Sequence, residues 1–251
     1  MEYTDTLILG LLQGLTEFLP ISSSGHLVIG QKFLNINLPG NAFEVVLHIG
    51  TLMSVLTVFR SEIKSLIFNL SDSSNKNYIS ALIYGTIPAL LIGLFLKDKI
   101  SLIFDDIRFV SLSLIFTGIF LLASKLIVKR NLRLTILIGL IIGFAQATAI
   151  IPGISRSGAT ICMGILMGLS ATEAARFSFL LSIPVIFGAA ILTAVNIRTI
   201  PFGYDIMLLG ISSSFLIGWI SLKWLLSILN SGKLHWFGIY CIIIGLFVFL
   251  N

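Results

Sequence analysis

The stretch "PGISRSGAT" at 152–160 sets an arginine, Arg156, among glycines and hydroxyls between two long apolar runs. An intramembrane arginine costs at least about 2.5 kcal/mol even on the most lenient insertion scale, so something anionic must offset it. Its neighbours say what that could be. Gly153 and Gly158 let the backbone turn closely, Ser155, Ser157 and Thr160 offer hydroxyl donors, and a helix beginning near Gly158 would aim free N–H groups at the turn. Together these are the parts of a phosphate cradle. A guanidinium adds planar two-point recognition and a charge it cannot lose. The plainer alternative is a structural pair between Arg156 and Glu17.

Complementary chemistry lies near the start of the chain. Gln13 and Glu17 are spaced i, i+4 and so share one face of a helix that Pro20 must end. Glu17 is either a buried acid paired with arginine or a carboxylate that handles a metal and a proton, and Gln13 supplies a neutral oxygen beside it. Past the proline come Ser22, Ser23, Ser24 and His26. Within three residues of a serine, His26 can take a proton from a serine or a water and return one to a leaving group. Other residues have simpler explanations. His48 bonds to a neighbouring helix, Glu44 and Glu173 cap or snorkel at span ends, His235 and Trp236 anchor at an interface, and Asp105 with Asp106 forms a solvated turn.

These groups need elements to hold them, and the composition says which kind. Of 251 residues, 57% are hydrophobic and only 11% charged, with a mean hydropathy of +1.06, far from the roughly 25% charge of soluble domains. The chain is therefore an all-α integral membrane protein. It opens on Glu2 and Asp5 rather than a basic stretch, which argues against a cleaved secretory leader. Cys162 and Cys241 sit inside apolar runs and suggest neither a disulfide framework nor a thiolate metal site. Sixteen Lys and Arg are scattered over short loops, so the net charge of +5 reflects topology rather than nucleic-acid binding.

Six stretches approach the roughly 20 apolar residues a span needs: about 42–60, 78–96, 109–128, 176–195, 205–229 and 236–250. Two further apolar regions, 5–34 and 134–169, are broken by "LPISSSGH" and "IPGISRSG". Irregular backbone at membrane depth survives only where protein or a wet cavity surrounds it, so both regions read as re-entrant hairpins. If they do not cross, ten basic residues fall on one side: Arg60, Lys64, Lys76, Lys125, Lys129, Arg130, Arg133, Arg176, Lys223 and Lys233. The other side takes five: Lys32, Lys97, Lys99, Arg108 and Arg198. The richer side should be cytoplasmic, with both termini outside. The two broken motifs resemble each other, so one membrane domain over 1–251 divides into repeats of about 1–128 and 134–251. Three spans in each make the repeats inverted, and such repeats place a site near the midplane.

At these residues the chain closely resembles the undecaprenyl-diphosphate phosphatase family, also called the bacitracin-resistance family. The family's E-or-Q-x-x-x-E signature appears as "QGLTE" at 13–17 and its P-G-x-S-R-S-x-x-T signature as "PGISRSGAT". The second is the specific one, and the likeness extends over essentially the whole chain. It implies a multi-pass inner-membrane hydrolase that converts the lipid-carrier diphosphate to the monophosphate for reuse in peptidoglycan synthesis, with its site open to the periplasm. It also implies a divalent cation, Mg or Ca. Carried over by position, the functional residues are Gln13, Glu17, Ser23, His26, Ser155, Arg156, Ser157 and Thr160. Gln13 is the amide variant of the first acidic position, which bears on the metal's ligand set. Another lipid-phosphatase superfamily shares "SSGH" and "SR", but no histidine follows Arg156 at the spacing that family needs, and the likeness is rejected.

The reading is a phosphatase with Glu17, Ser23, His26 and Arg156 as catalytic groups. Ser155, Arg156, Ser157 and Thr160 bind phosphate, and Gln13 and Glu17 face a metal. The partners are a prenyl diphosphate and membrane lipid, with association between copies left open. A secondary transporter or lipid flippase built on inverted repeats is the rival reading.

Overall fold

A computed structural model describes residues 2–36, 42–104, 106–126, 131–196, 202–229 and 232–250, with backbone only for 96–104, 126, 194 and 196. Among these residues the chain is all helical: α1 Tyr3–Phe18, α2 Ser23–Phe33, α3 Ala42–Val58, α4 Arg60–Phe68, α5 Ser73–Phe104, α6 Ile107–Ala123, α7 Ile136–Thr148, α8 Arg156–Leu166, α9 Ala171–Asn196, α10 Tyr204–Leu229 and α11 Leu234–Leu250. Asp105, Lys129, Arg130 and Arg198, used above in the turn and charge readings, lie outside the described residues.

Length decides which helices can cross a bilayer. Three stretches, Ser73–Phe95, Ala171–Thr193 and Tyr204–Leu229 within α5, α9 and α10, are long and apolar enough; the third contains the expected span 205–229, and the first two overlap the expected spans 78–96 and 176–195. The α3 and α4 helices qualify only as a pair, bent by 71° at Phe59. The α6 and α11 helices, at the expected spans 109–128 and 236–250, have 17 residues each, the lower limit for a crossing. The α7 helix is shorter still, with 13.

Helix boundaries follow local chemistry. Glu2 and Asp5 form a reciprocal capping box at α1, while Asp106 caps α6 with its carboxylate and Thr135 caps α7 with its hydroxyl. Pro88 and Pro184 lie inside α5 and α9.

Close approach of small residues holds the bundle together. Along α1, Gly10 lies against Ser213 and Gly14 against Gly218 of α10; along α7, Gly139 lies against Ala81 and Gly143 against Gly85 of α5. Both sets use a Gly-x-x-x-Gly ridge, the device by which helices in lipid bring their backbones together. Serines add cross-helix bonds: Ser54 donates to the Phe215 carbonyl at 2.8 Å and Ser221 to the Leu15 carbonyl at 2.9 Å. The α6 helix packs along α11 in the same way, with Gly118 facing Gly238.

A Cβ on Gly143 would stand 2.2 Å from the Gly85 carbonyl oxygen, and backbone cannot swing aside. Gly143→Ala should therefore destabilise the protein by about 1–3 kcal/mol, read as a lower thermal midpoint in detergent. Gly93→Ala meets nothing within 4 Å and should leave the midpoint unchanged or slightly higher.

Candidate active site at the meeting of two hairpin tips

Pro20 cannot continue α1, so Leu19 is extended. Ser22 then takes φ of 69°, an unusual left-handed value for a residue with a side chain, and its hydroxyl accepts the Gly25 N–H to start α2. In the second hairpin Gly153 has φ of 91° and lies so close to Val110 that a Cβ would sit 2.4 Å from that carbonyl. Only glycine fits there. Thr117 of α6 clamps this turn by donating to the Gly153 carbonyl at 3.0 Å and accepting from the Ser155 N–H at 3.1 Å. Ser155 in turn caps α8 through the Gly158 N–H. The tips touch where Ser157 donates to the Leu19 carbonyl at 3.1 Å, and Cys241 of α11 lies 3.7 Å from the Pro20 carbonyl.

Glu17 stands at the centre of this junction, 7% exposed. One carboxylate oxygen accepts from the Arg156 guanidinium at 2.5 Å. The other accepts from the Ser23 hydroxyl at 2.5 Å and from the Gln13 amide nitrogen at 3.1 Å. His48 Nε2 is 3.5 Å from that second oxygen, while its Nδ1 donates to the Glu44 carbonyl at 2.7 Å. Two buried atoms at the carboxylate's neighbours have no partner: Nη1 of Arg156 and Oε1 of Gln13. A buried, unsatisfied polar atom costs about 1–3 kcal/mol. Here an unused donor and an unused acceptor flank the same acid.

Gln13, Glu17, Ser23 and Arg156 are thus brought together. The hydroxyls of Ser155, Ser157 and Thr160 are buried and spent within the protein; Thr160 donates to the Arg156 carbonyl at 2.7 Å and lies 2.6 Å from the Ser178 hydroxyl. They shape the tip that presents Arg156. His26 has its Nδ1 on the Ser22 carbonyl at 2.8 Å and its Nε2 at 2.9 Å from the Tyr240 hydroxyl.

The sequence gives His48 a bond to a neighbouring helix, with contact to the site as the lesser alternative; the structure shows both in its approach to Glu17 of α1, whereas the sequence singles out neither Tyr240 nor Thr117. The i, i+4 pair Glu44 and His48 was the available signal for the first. A tyrosine in an apolar run carried none for the second. Of the residues set aside, Glu173 pairs with Arg176 at 3.7 Å, Asp106 caps α6, and His235 packs on Trp236.

Among the described residues no three of His, Cys, Asp and Glu converge as a metal cluster. Glu17 and the unpartnered Gln13 oxygen supply one carboxylate and one amide, a set that suits a hard cation drawing its remaining ligands from water and substrate phosphate. A separate cavity of about 580 Å³ lies near the α8 C-terminus, lined by Tyr78, Arg133, Glu173 and Arg176 among others, and has no wall in common with the tips.

The chain is similar over nearly its whole length to known proteins. A sequence model of the family described as bacitracin resistance protein BacA matches residues 6–247. The undecaprenyl-diphosphatase of Desulforapulum autotrophicum is 39% identical over 98% of this chain and 97% of its own. Undecaprenyl-diphosphatase 1 of Bacillus licheniformis is 40% identical over 97% and 96%. The undecaprenyl-diphosphatase of Halothermothrix orenii is 40% identical over 100% and 98%. With both tips, the Glu17–Arg156 junction and the full-length match in view, the chain is a multi-pass membrane protein of the BacA bacitracin-resistance family.

Proposed function

We propose that this protein hydrolyses undecaprenyl diphosphate to undecaprenyl phosphate and inorganic phosphate, returning the carrier to cell-wall synthesis and conferring bacitracin resistance. The observation that carries this reading is the Arg156–Glu17–Ser23 junction, where the two oxygens of one carboxylate hold a guanidinium with an unpartnered nitrogen and a serine hydroxyl. Phosphoryl transfer asks chiefly for positioning and for stabilisation of charge on the phosphoryl oxygens. Arg156 supplies both to the terminal phosphoryl group. If Ser23 attacks, its Oγ bonds to phosphorus as its proton passes to Glu17 and the bond to the carrier monophosphate breaks; a water activated by His26 then releases phosphate. If a water attacks directly, His26 takes its proton. A divalent cation held by Glu17, Gln13 and substrate oxygens would neutralise phosphate charge.

The finer architecture belongs to the same proposal: six spans, two re-entrant hairpins and inverted repeats. Packing supports it, since α1 lies along α10 as α7 lies along α5, while α6 pairs with α11 and α3 with α9. Exchanging the two halves maps this pattern onto itself. The α1 and α2 hairpin then opens to the periplasm, and the end bearing Arg60, Lys64, Lys76 and Arg133 faces the cytoplasm. This symmetry also favours a second reading, a transporter or flippase with its site at the repeat interface.

Phosphate release separates the readings. The purified protein in detergent, given undecaprenyl diphosphate, should release inorganic phosphate, and a chelator should suppress the release. No phosphate from a well-folded protein with the cation present would leave the transport reading standing.

A further inference from the structure

Granted the cation reading of Glu17 and Gln13, on which the following assignment rests, His48 of α3 faces the same position. Its Nε2 lies 3.5 Å from Glu17 Oε2, the oxygen that also takes the Ser23 hydroxyl and the Gln13 amide. A backbone carbonyl can only accept, so the 2.7 Å bond between Nδ1 and the Glu44 carbonyl places a ring proton on Nδ1. In the neutral ring the lone pair is then on Nε2, the nitrogen that faces the carboxylate. A ring N–H spent on a backbone carbonyl is also the arrangement that orients metal-ligating histidines and selects their tautomer.

Distance and charge fit the same role. The 3.5 Å separation is longer than the roughly 2.7–3.2 Å of an N–H···O hydrogen bond. Two ligands about 2.0–2.2 Å from one ion lie roughly 3–3.5 Å apart. Glu17 already has the Arg156 guanidinium as its counter-charge, so it does not need a second cationic side chain. The Gln13 Oε1 atom, buried without a partner, belongs to the same group. The His48 side chain is 27% exposed against 5% for Glu17, so water or substrate oxygens have a way in beside the imidazole.

We infer that His48 is a ligand of the cation through Nε2, making a set of one imidazole, one carboxylate and one amide oxygen. The consequence is a change of preferred ion. Oxygen ligands alone suit Mg²⁺ or Ca²⁺, whereas an imidazole nitrogen favours transition ions such as Co²⁺, Ni²⁺ and Zn²⁺.

The test uses the purified protein in detergent, without substrate, and Co²⁺ as the probe. The unaltered protein should bind Co²⁺ more tightly than Mg²⁺. The ¹H NMR spectrum of its cobalt form should show an exchangeable imidazole N–H shifted far out of the diamagnetic range, and His48→Gln should lose that signal. His48→Gln should also lower Co²⁺ affinity by about tenfold or more, since even the partners of metal ligands are worth about 10–100-fold. Its Mg²⁺ affinity, measured by competition, should stay within about threefold. A cobalt form of the unaltered protein without the shifted signal, a signal that persists in His48→Gln, or an unchanged Co²⁺ affinity would each overturn the inference. Equal losses for the two ions would overturn it as well, leaving His48 only an ion partner of Glu17. Undiminished Co²⁺ binding by Glu17→Gln overturns instead the reading of Glu17 as a cation ligand.

Discussion

Arg156→Lys is expected to lower kcat/KM for phosphate release by about thirtyfold or more, which is roughly 2 kcal/mol of transition-state stabilisation. Lysine keeps the charge and can still reach an acid, so the folded protein should persist. What it loses is the planar fork. In the structure one arm of that fork is spent on Glu17 at 2.5 Å and the other nitrogen is buried without a partner. A point charge can serve Glu17 or the phosphoryl group, whereas the guanidinium serves both. Steady-state kinetics on Arg156→Lys, with its thermal midpoint as a control, checks this. Near-normal turnover in a well-folded variant would return Arg156 to a purely structural role.

Glu17→Gln should have the larger effect. Four side chains converge on this carboxylate, from α1, α2, α3 and α8. Neutralising it leaves the Arg156 guanidinium without its counter-charge, and breaking a buried pair from one side costs about 3–5 kcal/mol because the other charge stays buried. Ser23 loses its proton acceptor in the same step, and the proposed cation would lose the carboxylate assigned to it. The variant should be nearly inactive at any concentration of Mg or Ca and should unfold at a lower temperature. Phosphate release against metal concentration, beside a melting curve, tests both halves. An active Glu17→Gln enzyme with an unchanged metal curve would remove the cation from this helix face.

The sequence made the broken helices visible because Pro20 and Pro152 interrupt apolar runs that would otherwise continue. It made Glu17 and Arg156 visible because charge in such runs is costly. Three span-length segments were equally legible, since predominantly apolar stretches of 23 or more residues leave little choice. Two kinds of information were hidden. Side-chain direction was one: Ser155, Ser157 and Thr160 have the right chemistry for phosphate, yet their hydroxyls turn into caps and interhelix bonds. Motif spacing fixes which residues are near a tip but not which way each rotamer points. Long-range neighbours were the other. His48 reaches Glu17 across 31 positions and Tyr240 reaches His26 across 214, and beyond the i, i+4 pair of Glu44 and His48 no local pattern points to either partner. Thr117, which braces the second tip, is likewise one threonine in an apolar helix.

The account stands on Arg156 and Glu17 acting as one centre formed where the tips meet. A double-mutant cycle in kcat/KM measures that directly, using Arg156→Lys, Glu17→Gln and the two combined. Groups that act as a unit are strongly non-additive, so the double variant should be about as impaired as Glu17→Gln alone. A double variant impaired by the product of the two separate losses would show that the residues work independently, and would contradict the account.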